Sequence, residues 1–179
     1  MSTRGPVPPP TGGAQQVQED ARAMVRAFLT EEEERLWFAL TETYDALLGE
    51  LDARMLSEHN MPLSAFEALM HITHAEDGSI SISDLAELVR LSPSQVSRLA
   101  IDLERRGLVR RQRSASDSRS TEVAVTDAGR LELQAAAPTY LSTIRSHLFE
   151  SLDERDVKQL ARIWRRIQDA RPREERRRP

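Results

Sequence analysis

The chain has 179 residues, 30% of them charged and 39% hydrophobic, with a formal net charge of −4; this is the profile of one globular domain with tails, soluble and expected in the cytoplasm. No apolar run approaches the ~20 residues of a bilayer span, and the opening MSTRGPVPPPTGG has no apolar stretch of the kind a secretory signal needs. With no cysteine, disulfides, thiolate zinc sites, cysteine nucleophiles and thiol-based redox sensing are excluded together.

Residues 1–15 are rich in proline and glycine and are expected to be a disordered tail. Val17, Ala21, Met24, Val25, Phe28 and Leu29 then recur at the spacing of a short amphipathic helix. Thr30 followed by Glu33 has the form of a capping box that begins a second helix, although one continuous helix through Thr30 also fits. That helix carries Leu36, Trp37, Leu40, Tyr44, Leu47, Leu48, Leu51 and Met55 on a wide apolar stripe. The rest of the domain, or a second copy, must bury it. Asn60, Pro62 and Ser64 interrupt the pattern before a third helix bearing Phe66, Leu69, Met70 and Ile72. Asp77-Gly78 marks a turn, with a short strand-like stretch at Ile80 to Ile82, and Ser81 with Asp84 caps a compact helix.

The next segment carries the most information. Ser92-Pro93-Ser94-Gln95 stacks an N-cap serine, proline at the first helical position and glutamine at the third. Val96, Leu99, Ala100 and Leu103 make the inner face, and Gly107 stands where a left-handed C-terminal residue belongs. Two short helices joined tightly near Leu91 form a helix-turn-helix. After Gly107 the period changes: LVRRQR and TEVAV read as two strands joined by the polar loop SASDSRS, a hairpin with a basic tip. Thr126-Asp127 starts a long helix through Leu148, with a kink expected at Pro138, and Ser151 with Glu154 is expected to cap a last helix bearing Val157, Leu160, Ile163, Trp164 and Ile167.

Charge is unevenly spread. Residues 1–89 hold 5 basic and 16 acidic side chains, residues 90–130 hold 9 and 5, and residues 131–179 hold 11 and 8. A basic middle in an acidic protein suits an anionic partner, or is a chance cluster on a solvated face. Of 25 basic residues 24 are arginine, a uniformity that resembles codon bias, so arginine alone is no mark of recognition. The position of the polar residues says more. Ser92, Ser94, Gln95, Ser97 and Arg98 offer donors and acceptors at the start of the second helix of the pair, as a major-groove reader does. Arg98 is the candidate for a guanine contact, against a phosphate contact or an internal ion pair. Arg110, Arg111 and Arg113 are candidates for phosphate contacts, which position without specifying sequence, or else a solvated strand face. In the loop, with Ser116, Arg119 suits a narrow minor groove, and Asp117 suits bracing of an arginine at the tip.

The run SISDLAELVRLSPSQVSRLAIDLERRGLVRRQRSASDSRSTEVAVTDAG resembles the winged-helix core of the MarR family of bacterial transcriptional regulators. Its strongest part is Asp117-x-Arg119 followed by Thr126-x-x-Gly129; Ser118 stands where arginine is frequent in that family. The resemblance implies a mainly α fold with a small β-hairpin wing, divided as a tail (1–15), N-terminal dimerisation helices (16–75), a winged helix-turn-helix DNA-binding core (76–126), C-terminal dimerisation helices (127–170) and a charged tail (171–179). It further implies a homodimer on a pseudo-palindromic double-stranded operator, a repressor released by a small phenolic or anionic effector held between dimerisation helices and winged helix. Trp37, Tyr44, Phe66 and His71 are the aromatic and titratable candidates for that crevice, or are core residues at helical spacing; Arg54 could pair an anionic effector or lie on the surface. Glu67, His71 and His74 recur on one helix face and could hold a divalent metal, as in relatives that sense zinc, but no metal, cofactor or membrane partner is expected. No Gly-rich phosphate loop, G-x-S-x-G or HExxH is present, so an enzyme is not expected. The alternative to a ligand-released regulator is an effector-independent architectural or protein-binding winged helix.

Overall fold

The computed structural model describes residues 27–75, 78–113 and 121–170. The expected helix at 16–29 except its end, the hairpin loop including Ser116, Asp117 and Arg119, and both tails lie outside the described residues. The chain divides into two compact units, Met1–Ala46 and Leu47–Pro179, and the long helix α1 (Glu31–His59) contributes its first part to one and its second part to the other.

In the first unit the expected capping box forms: the Thr30 amide donates to Glu33 Oε2 at 2.7 Å, and the Glu33 amide donates to Thr30 Oγ1 at 3.3 Å. Glu31, Glu32, Glu33 and Glu34 crowd the first turn, where carboxylates meet the positive end of the helix dipole. The helix therefore starts at Thr30 instead of running through it. Leu36, Trp37, Phe38, Leu40 and Tyr44 are all exposed.

In the second unit, α1 ends at Asn60, whose backbone is left-handed (φ +48°), and α2 (Leu63–His74) follows. The side chain that satisfies the start of α2 comes from α1: Asp52 Oδ1 accepts from the Leu63 amide at 2.9 Å. After α2 come β1 (Ser79–Ser81), α3 (Ile82–Leu88), α4 (Pro93–Arg105), β2 (Val109–Arg113), β3 (Thr121–Val125), α5 (Asp127–Ile144), a π-helical turn (Arg145–Phe149) and α6 (Glu154–Ala170). The strands form an antiparallel sheet in the order β1-β3-β2, with Ile80 opposite Val123 and Arg111 opposite Val123 on the other side. The core joins Met55 and Met61 to Phe66, Leu69 and Ile72 of α2, Leu85 of α3, Val96, Ala100 and Leu103 of α4, and Val123 and Val125 of the sheet. Fully burying each of these Met, Phe, Leu, Ile and Val side chains stabilises by about 1.5–3 kcal/mol, measured against an extended chain.

One expectation is corrected. The last helix is capped by Asp153 and Asp156 instead of Ser151 and Glu154: the Asp156 amide donates to Asp153 Oδ1 at 2.8 Å, and the Asp153 amide to Asp156 Oδ2 at 3.2 Å. Pro138 lies inside α5, which runs on to Ile144. A π-helical turn follows, where the Glu150 amide reaches back five residues to the Arg145 carbonyl. Among the described residues no helix is long and apolar enough to cross a membrane.

Candidate nucleic-acid interface

The helix-turn-helix is α3 and α4. Ser81 Oγ accepts from the Asp84 amide at 3.0 Å to start α3. Arg90 then takes a left-handed backbone (φ +55°), and the Leu91 amide returns to the Ala86 carbonyl at 3.1 Å. At Ser92 the full capping box is made: its Oγ accepts from the Gln95 amide at 3.3 Å, and its own amide donates to Gln95 Oε1 at 2.9 Å. These bonds fix where α4 begins and also commit Ser92 and the Gln95 carbonyl oxygen to the backbone. The Gln95 amide donors and Arg98 are the groups that α4 still exposes; the Ser94 hydroxyl is exposed but lies 3.1 Å from Ser92 Oγ, and Ser97 is half-buried. Arg98 is exposed, with Nε 3.3 Å from the Ser94 carbonyl. Further along the helix Asp102 pairs with Arg105 at 3.3 Å, a contact open to solvent that contributes little.

The wing leaves α4 through Gly107, whose φ of +74° is the left-handed conformation expected there. The three arginines of β2 are exposed but not equivalent. Arg111 Nε donates to Glu104 Oε2 at 2.8 Å and its amide donates to Glu104 Oε1 at 2.8 Å. Those two bonds, the backbone one first, hold the Glu104 carboxyl below its ordinary range, so it stays ionised. Arg110 and Arg113 make no such pair among the described residues and are exposed. Ser116, Asp117 and Arg119 lie outside the described residues.

The Thr126-x-x-Gly129 motif has a definite geometry. Thr126 Oγ1 accepts from the Gly129 amide at 3.1 Å and lies 2.7 Å and 3.0 Å from the carbonyls of Gly107 and Leu108. One hydroxyl thus caps α5 and closes the base of the wing. Gly129 is needed because a Cβ there would lie 2.1 Å from the Leu108 carbonyl oxygen. At the end of α4, Arg106 donates to the Asn60 carbonyl at 3.1 Å and faces Glu132 of α5 at 3.6 Å. Sequence reasoning did not single out Glu104, Arg106 or the Thr126 hydroxyl as contacts, because each acts between elements.

The effector candidates fall into different environments. Phe66 is 2% exposed and stacks on Tyr140 with ring centroids 4.6 Å apart, a core position. His71, on the same helix, is partly buried; that burial, with the neighbouring His74, holds its pKa below the usual histidine value. Trp37 and Tyr44, in the first unit, are 54% and 48% exposed. Arg54 is engaged internally: Nε donates to Glu58 at 2.8 Å, and its other guanidinium nitrogen to the buried Thr143 hydroxyl at 2.9 Å. Among the described residues no three His, Asp or Glu side chains are grouped so as to hold a metal ion, and His74 Nδ1 lies 2.7 Å from the Met70 carbonyl.

A model of the MarR family matches residues 59–120, which run from the end of α1 through the helix-turn-helix and into the wing. The transcriptional repressor MprA of Escherichia coli K12 is 27% identical over 114 residues, a match spanning 64% of this chain and 64% of MprA. Among solved structures, Sco3205 of Streptomyces coelicolor, a MarR-family transcriptional regulator determined in complex with DNA, is 27% identical with a TM-score of 0.72. The match covers 82% of this chain and 92% of that one. CouR of Rhodococcus jostii, determined bound to p-coumaroyl-CoA, is 25% identical with a TM-score of 0.62, covering 74% and 90% of the two chains.

Proposed function

Residues 59–120 place this chain in the MarR family of transcriptional regulators, and from that premise we propose that it is a cytoplasmic homodimer that represses transcription from a pseudo-palindromic operator and is released by a small phenolic or anionic ligand. The observation that carries the DNA-binding part is the outer face of α4. Its start is locked by the Ser92–Gln95 box, which leaves Ser94 and Arg98 exposed and Ser97 half-buried beside a strand rich in arginine. Two such helices related by a twofold axis meet half-sites about 10 bp, or ~34 Å, apart. The DNA complex of Sco3205 supports the same reading.

Self-association is supported by apolar side chains left in water. Leu36, Trp37, Leu40 and Tyr44 on α1 are exposed, as are Val157, Ile163, Trp164 and Ile167 on α6. Monomeric proteins rarely leave such stripes uncovered. Release by a ligand is supported by CouR with its bound p-coumaroyl-CoA. DNA requires one spacing of the two lobes, and a ligand that prefers another spacing withdraws the dimer from DNA by as much as its affinities for the two states differ.

The test is binding to duplex from the chain's own upstream region against a scrambled duplex at about 0.15 M salt. Preference for the upstream duplex, lost on adding a ligand found by screening, supports the whole reading. Binding with a steep salt dependence but no preference would leave an architectural protein, and no binding at all would favour a winged helix that meets protein.

A further inference from the structure

Of the three carboxylates between residues 90 and 125 that the structure describes, Asp102 pairs with Arg105 on its own helix and Glu122 accepts from Ser79 within the sheet. Glu104 is different, because it reaches from one DNA-facing element to the other. The sheet order puts β2 at an edge. Since the Thr126 amide bonds the Leu108 carbonyl at 3.0 Å, the antiparallel alternation makes Arg110 and Gln112 the strand-bonded residues and turns the Arg111 N–H away from β3. That outward donor would have no strand partner. Glu104 Oε1 takes it at 2.8 Å, while Oε2 takes Arg111 Nε at 2.8 Å. Both carboxylate oxygens are used, and the two side chains are only 36% and 32% exposed. A two-point contact of this kind fixes orientation as well as distance. The chain between the two residues turns at Gly107, where the Gly107 amide bonds the Glu104 carbonyl and the Leu108 amide bonds the Leu103 carbonyl, each at 2.9 Å, so the turn holds the start of β2 and the carboxylate holds the strand beyond it.

We propose that Glu104 is the positioning residue of the wing: it clamps β2 onto the recognition helix, and Arg111 acts on DNA through this clamp instead of through a phosphate. The inference rests on the DNA-binding reading above and deepens it. Arg110 and Arg113 then approach the duplex at a separation from Arg98 that the clamp sets. The claim has a sign that simple electrostatics does not. Removing a carboxylate from a surface that meets phosphates should, by Coulomb's law alone, tighten binding; removing a positioning residue weakens it.

The full chain is used to enrich a duplex from a randomised pool, and that duplex is the probe for the wild type, Glu104→Ala, Arg111→Ala and the double variant. Glu104→Ala is expected to bind about tenfold more weakly, ~1.4 kcal/mol, with little change in melting temperature and faster hydrogen exchange at the Arg111 amide. Arg111→Ala weakens the wild type by a similar factor but adds no further loss in the Glu104→Ala background, the non-additivity of two residues acting as one. Glu104→Gln, which keeps an acceptor for the Arg111 N–H, falls between and covers the case in which the alanine variant fails to fold. Equal or tighter binding by Glu104→Ala overturns the proposal, as does an Arg111→Ala loss of the same size in both backgrounds. A wild type that enriches no duplex refutes the DNA reading itself, and unchanged Arg111 exchange in the glutamate variants then refutes the clamp independently.

Discussion

Replacing Gly129 by alanine sets a local preference against a tertiary contact, and the geometry decides the sign. Alanine is the better helix former by as much as ~1 kcal/mol in a helix interior, and Gly129 lies in the first turn of α5, so propensity alone favours the change. Against it stands the backbone of β2's approach: the new Cβ would lie 2.1 Å from the Leu108 carbonyl oxygen and 2.9 Å from a Val125 methyl. An ordinary carbon–oxygen contact is about 1 Å longer than the first of these, and the obstacle is main chain, which cannot rotate aside. Overpacking of this kind costs about 1–3 kcal/mol. The movement that relieves it also disturbs the bonds from the Thr126 amide and hydroxyl to that carbonyl, both 3.0 Å long, at about 0.5–1.5 kcal/mol each. The net expectation is destabilisation by roughly 2–3 kcal/mol, or about 4–12 °C in melting temperature for a chain of this size. Circular dichroism melts at one fixed protein concentration are the assay, because self-association moves the midpoint with concentration. Ala128→Gly, at the exposed neighbouring position, is the control and should cost no more than about 1 kcal/mol. A Gly129→Ala protein that melts at or above the wild type would refute the account, since propensity would then have won over a contact that α5 had room to relax.

Arg98→Ala should weaken operator binding by about 1–3 kcal/mol and relax preference at one base pair per half-site; uniform weakening on every sequence, with the salt slope lowered by about one, would make Arg98 a phosphate contact. Burial pushes the Glu67 carboxyl above its ordinary pKa, an effect that Arg90 opposes. The fold therefore loses the stability of the protonated form as pH rises through that raised value. Glu67→Gln should accordingly melt higher than wild type at pH 7, with the gain disappearing below about pH 4; the same gain at both pH values would remove ionisation as its cause. Trp164→Asp places a charge on the exposed apolar face of α6 and should halve the sedimenting mass while leaving the helical signal intact, whereas an unchanged mass would put the self-association surface elsewhere.

The elements that could be placed from the residues alone are those whose determinants lie within four positions of one another. Thr30 with Glu33, Ser81 with Asp84 and Ser92 with Gln95 are contacts three residues apart, so the residue types at that spacing suffice to place a helix start. The last helix shows where the rule becomes ambiguous. Ser151 with Glu154 and Asp153 with Asp156 both have a capping residue followed three later by an acid, and only the folded chain selects the second. The start of α2 was beyond reach of any local rule, because its cap is Asp52, eleven residues back on the preceding helix. The exposed stripe on α1 belongs to the same class: spacing establishes that it is amphipathic, but what covers it depends on contacts outside the sequence window.

The functional face divides along the same line. Arg98 could be placed outward because α4 has a defined start, a 3.6-residue period and a buried face at Val96, Ala100 and Leu103. Arg110, Arg111 and Arg113, read as a run, look interchangeable, yet strand alternation turns the Arg111 amide to the sheet edge, where Glu104 waits across a glycine turn. No spacing rule connects positions 104 and 111, since the partner of an edge-strand donor is set by how the strand docks. Phe66 makes the same point for the effector candidates: its periodicity is equally that of a core residue, and the ring it stacks on, Tyr140, comes from α5. The motif Thr126-x-x-Gly129 was recognisable as a pattern before its cause could be seen. The pattern follows from one carbonyl, that of Leu108, being shared by a hydroxyl and pressed against a position that tolerates no side chain. Where a residue's task is to present a group outward, the helix or strand it sits on is enough to find it. Where its task is to hold another element in place, its identity becomes interpretable only once that element has arrived.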